Sequence, residues 1–79
     1  MKYIGIDLHK RVLVVAVEGG SGRRPTPRTF CCRDVDAVRA FFEVHRPFRA
    51  VIEASSSYRW LYGLLAPLGE VVLARMQHS

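Results

Sequence analysis

The stretch Met1–Lys10, MKYIGIDLHK, sets the strongest constraint on how this chain can fold, because it carries one carboxylate, Asp7, inside an apolar run. Tyr3, Ile4, Ile6 and Leu8 have the composition of a β-strand, and Gly5 leaves space for another group to approach the backbone. An acid in such a run costs stability unless it is hydrogen-bonded, paired or holding a cation. A second acid has the same setting, Glu53 in AVIEASSSY. Whether these two acids meet in the fold decides what the chain can do.

Strand and turn signals divide the chain at short intervals. A first strand is expected over Tyr3–Leu8, a polar turn at His9, Lys10 and Arg11, and a β-branched second strand over Val12–Val17. Glu18–Gly22 reads as a hairpin loop, continued through Arg23 to Pro27, before a third strand at Arg28–Cys32. Asp34 is a good N-cap, and Val35, Val38, Phe41, Phe42 and His45 recur at helical spacing, so a helix is expected over Val35–His45, ending before Pro47. A fourth strand follows at Phe48–Ala54. Ser55, Ser56 and Ser57 offer caps for a second helix over Tyr58–Ala66, with Trp60, Leu61, Leu64 and Leu65 as its apolar stripe. Glu70–Ala74 closes the pattern as a fifth strand, and residues 75–79 read as a divergent or frayed tail.

The expected class is therefore α/β, a mixed sheet in the order β-β-β-α-β-α-β. Short links make the first three strands an antiparallel meander, and helical crossovers make the later strands parallel. The fourth strand must take the free edge of the first or the third. On the edge of the first, Asp7 and Glu53 end adjacent parallel strands at the same end of the sheet.

Two carboxylates side by side repel unless a cation lies between them. Magnesium suits this pattern, since it prefers oxygen ligands and takes one or two protein carboxylates together with waters and phosphates. The alternative stays open that each acid is simply solvated at a strand end. Ten of the twelve basic residues are arginine and the net charge is +5, a balance that favours a polyanionic partner. Lys10, Arg11, Arg23, Arg24 and Arg28 are the candidate nucleic-acid contacts. Tyr58 and Tyr62 share a helix face suited to stacking, whereas Trp60 reads as core, and His45 and His78 have no ligand-like companion. Cys31 and Cys32 are adjacent, a spacing that fits neither a disulfide framework nor a zinc site. No apolar run reaches the ~18 residues of a membrane span, and Met1 leads directly into a strand, so a cytoplasmic protein without a membrane partner is expected.

GIDLHK at Gly5–Lys10, the VLVVAV strand after it, and VIEASSSYRWLYGLLAPLGEVVLA at Val51–Ala74 resemble the N-terminal domain of the DEDD insertion-sequence transposases, the RNA-bridge-guided recombinases. The resemblance implies an RNase H-like, resolvase-like fold over residues 1–74 and four acids that hold Mg²⁺ for DNA cleavage and strand transfer. Asp7 matches the first of those acids and Glu53 the second, as catalytic and metal-binding residues. It also implies DNA and a guide RNA as partners; truncation would expose an apolar sheet face and an unpaired edge, so association with itself is expected, and pairing with an intact transposase belongs to the binding-module alternative. The family's third and fourth acids fall in a TDxxDA-like segment, and its serine nucleophile in a second domain, neither of which occurs before Ser79. A truncated copy with weak Mg²⁺ binding at most, inactive alone, is expected, and a small basic binding module is the alternative. The sugar-kinase and actin ATPase fold also begins with a strand, an Asp and a hairpin, but Leu8-His9-Lys10 stand where its phosphate-wrapping residues would be.

Overall fold

The computed structural model describes residues 1–18, 26–55 and 57–74. It forms a small α/β domain in which strands β1 (Lys2–Leu8), β2 (Val12–Glu18) and β3 (Arg28–Cys31) precede helix α1 (Val35–Val44). Strand β4 (Phe48–Ala54), helix α2 (Arg59–Leu65) and strand β5 (Glu70–Ala74) follow. The five strands make one mixed sheet in the spatial order β3-β2-β1-β4-β5. β1 pairs antiparallel with β2 and parallel with β4, which pairs parallel with β5.

Alternation sorts the side chains onto two faces. Ile4, Ile6 and Leu8 of β1 and Phe48, Ala50 and Ile52 of β4 are buried in one cluster with Val38 and Phe42 of α1 and Leu61 and Leu65 of α2. Both helices therefore cover the same face of the sheet. Each large side chain so buried contributes about 1.5–3 kcal/mol, and aromatic contacts add to it. Phe42 meets Phe48 edge-on with ring centroids 5.2 Å apart, and Phe41 bridges Phe30 and Phe42. The other face carries Tyr3, Gly5, Asp7, Arg49, Val51 and Glu53, all exposed.

Several boundaries differ from those expected, each for a local reason. Glu18 belongs to β2 rather than to the loop, because its backbone pairs opposite Tyr3. β3 stops at Cys31, since the Cys32 amide turns to the carbonyl of Arg11 (2.9 Å) and the Asp34 amide closes a turn onto Cys31 (3.0 Å). Asp34 caps α1 by accepting from the Ala37 amide, and His45 is the C-cap rather than the last helical residue. The serine caps expected for α2 are absent among the described residues. Tyr58 is its N-cap without a side-chain hydrogen bond, and Ser55 instead donates from its amide and its hydroxyl to the Leu8 carbonyl. Ser55 thus ties the end of β4 to the end of β1. Residues 19–25, with Arg23 and Arg24, and the tail at 75–79 lie outside the described residues, as does Ser56.

Candidate carboxylate site and adjoining basic cleft

Asp7 and Glu53 are direct partners in the parallel pairing of β1 with β4. Neighbouring strands lie about 4.8 Å apart, so the two side chains leave the same face side by side. Both stand at the carboxyl ends of central strands, the place where open α/β sheets collect ligands. Neither is buried. Asp7 is 61% exposed, so the desolvation cost expected of an acid in an apolar strand does not arise. The strand instead turns its polar position to solvent and its apolar positions to the helices.

A shallow trough of about 290 Å³ runs along this face, walled by Asp7 and Glu53 at one end and by Val14, Ala16 and Val51 along its length. Gly5 lies in it. A Cβ at Gly5 would meet nothing within 4 Å, so packing does not demand glycine there. The missing side chain keeps the trough open beside the acids.

His9 completes the immediate surroundings. Its Nε2 lies 3.0 Å from Asp7 Oδ2, with the ring about half exposed. His45 is different in kind: its Nδ1 lies 2.6 Å from the Phe41 carbonyl and its ring packs on Phe41 at 4.3 Å, a structural role. Among the described residues, no group of three His, Cys, Asp or Glu side chains is arranged to hold a metal ion. Asp7 and Glu53 present carboxylate oxygens on one face, the ligand type that hard divalent cations prefer, with no third acid beside them among the described residues.

The candidate basic residues separate into groups. Lys10 and Arg11, in the β1–β2 turn, line a cleft of about 620 Å³ with Val12, Cys31, Cys32 and Arg33. Arg28 goes elsewhere. Its guanidinium stacks over Phe30 at 5.1 Å and Phe41 at 5.4 Å, on the helix-covered side of the sheet and away from the two acids. Tyr58 and Tyr62 are exposed on α2, and Trp60 is half-buried against the core.

Arg33 escaped the sequence reading because it stands alone between Cys32 and the cap Asp34. Only the pairing of Val12 with Cys31 carries it across to Lys10 and Arg11. Burial pushes the Cys32 thiol above its ordinary pKa, and the neighbouring Cys31 adds to the rise. Cys31 itself is exposed.

No protein-family model matches this chain, and no curated protein matches it.

Proposed function

We propose that this chain is an RNase H-like domain of the DEDD transposase type, built to present two carboxylates to a divalent cation and a nucleic-acid phosphate. The observation that carries this reading is the register of Asp7 with Glu53 at the carboxyl ends of two adjacent parallel strands on an open sheet face. The likeness of GIDLHK and of the Val51–Ala74 segment to that family supports it, as does the net charge of +5. Asp7 and Glu53 are the residues that would hold Mg²⁺, which when bound supplies charge neutralisation and Lewis acidity at a phosphodiester. His9 holds one oxygen of Asp7 and so orients that carboxylate. DNA is the substrate in this reading, with a guide RNA and a second transposase chain as partners.

Two carboxylates are too few to position a pair of ions, so these 79 residues alone bind Mg²⁺ weakly and do not cut DNA. The test is a Mg²⁺ titration of the folded chain followed by NMR of backbone amides. Shifts should centre on Asp7 and Glu53 and disappear in Asp7→Asn and in Glu53→Gln. Equal shifts in the Asp7→Asn protein would refute the metal reading. No membrane contact enters the proposal, and no helix among the described residues is long and apolar enough to cross a membrane.

A second reading, a basic binding module without catalysis, is favoured by one specific observation: the cleft lined by Lys10, Arg11 and Arg33. Both readings place nucleic acid at the same end of the sheet. They differ in whether Asp7 and Glu53 are required.

A further inference from the structure

We propose that the cleft between the β1–β2 turn and the β3–α1 turn is a phosphodiester-binding subsite, with Arg33 as its central cation beside Lys10 and Arg11. This rests on the nucleic-acid reading above and adds to it a residue and a location. Three side chains that are cationic at neutral pH line the cleft with Cys31, Cys32 and Val12, and no carboxylate lines it. The nearest acid in the chain, Asp34, is engaged in capping α1, its Oδ1 accepting from the Ala37 amide at 3.3 Å. Asp34 keeps its charge while it caps the helix, but the lining itself carries three cations and no acid, so the charge pattern inside the cleft is basic.

The backbone holds the cleft's two walls together. The His9 amide donates to the Val12 carbonyl at 2.9 Å and closes the β1–β2 turn, while the Cys32 amide donates to Arg11 at 2.9 Å. The Cys32 thiol points at the His9 carbonyl, 3.7 Å away. His9 is thus shared by both sites, its ring on Asp7 and its carbonyl beside Cys32. A strand of nucleic acid held in the cleft reaches the carboxylate pair by passing His9.

Two thiols facing one cleft also suggest a soft metal ion. The three surrounding cations argue against it, because they repel a cation, and burial raises the Cys32 thiol's pKa, which makes the thiolate ligand harder to form. An anion is the occupant that this charge pattern favours. A phosphodiester satisfies both the charge and the fork geometry of the arginines.

The test uses the whole chain and a short fluorescein-labelled oligonucleotide, single-stranded in one arm and duplex in the other, titrated from about 50 to 200 mM salt. Arg33→Gln and Lys10→Gln should each weaken binding several-fold and lower the salt slope by about one, the loss of one phosphate contact. Arg59→Gln, on exposed α2, removes the same charge outside the cleft and should change neither quantity. Saturating oligonucleotide should slow iodoacetamide labelling of Cys31 in the wild type.

The proposal is overturned if Arg33→Gln binds as Arg59→Gln does, if labelling of Cys31 is unaffected, or if polyglutamate competes as well as the oligonucleotide. A wild-type chain that binds no oligonucleotide overturns both this subsite and the nucleic-acid reading. Failure of the Mg²⁺ titration with the Arg33 effect intact overturns the metal reading alone. The two failures are therefore separable.

Discussion

Gly69 and Gly63 provide a paired test of the packing around Phe48 and α2. An ideal Cβ built on Gly69 would lie 2.8 Å from both Cε1 and Cζ of Phe48, closer than real Cβ atoms come. Phe48 has little room to retreat, being 1% exposed and held edge-on against Phe42 at 5.2 Å. Forcing a methyl group into such a contact costs about 1–3 kcal/mol. The reduced freedom of the unfolded chain offsets about 0.4–1 kcal/mol of that. Gly69→Ala should therefore destabilise the domain by roughly 1–2 kcal/mol. Gly63 is the counterpart, exposed within α2, where a Cβ would meet nothing within 4 Å. Gly63→Ala should stabilise by about 0.8–1 kcal/mol, the difference in helix propensity. At about 4–8 °C per kcal/mol for a domain of this size, the two variants should melt on the order of 10–20 °C apart. Thermal unfolding by circular dichroism, with urea midpoints as a second measure, reads this directly. If Gly69→Ala proved as stable as the wild type, the wedge of Phe48 between Gly69 and Phe42 would be wrong.

Three further outcomes are expected. Phe42→Ala removes a fully buried ring at the meeting point of α1 and β4, at about 3–5 kcal/mol against a total of roughly 4–12 kcal/mol for a chain of this length. Urea denaturation should show a midpoint lowered by roughly a quarter or more, up to loss of the folded baseline, and a smaller shift would refute the assignment of the core. Asp34→Ala deletes the side-chain cap of α1 and should cost about 1 kcal/mol, with Asp34→Asn recovering most of it in the same assay. Iodoacetamide reacts with the thiolate, and a raised pKa means less thiolate at any pH below it. Cys32 should therefore label more slowly than Cys31 near neutral pH and catch up as pH rises, which peptide mass spectrometry resolves; equal rates at neutral pH would refute the burial of Cys32.

Much of the architecture was legible in local pattern. Ile4, Ile6 and Leu8 alternate, Val38 and Phe42 stand one helical turn apart, and Asp34 precedes the first helix with a side chain suited to capping it. The strand count left β4 the free edge of β1 or of β3; the structure takes β1, and the observed register pairs Asp7 directly with Glu53. The errors came from interactions with distant partners. Ser55 looked like a helix cap, yet it spends both donors on Leu8, 47 residues away in the chain. Arg28, expected as a phosphate contact, is exposed and lies over the rings of Phe30 and Phe41, on the other side of the sheet from Asp7 and Glu53, a placement that only the packing of β3 on α1 decides.

By itself, then, the sequence determined the element pattern, the apolar positions and the isolation of two acids at strand ends. These depend on side-chain spacing within a few residues, which periodicity reports directly. The tertiary structure alone decided that both helices cover one face, that Asp7 and Glu53 stand in solvent on the other, and that Arg33 joins Lys10 and Arg11. Those facts depend on which strands pair and which face the helices bury, choices made by packing between segments far apart in the chain.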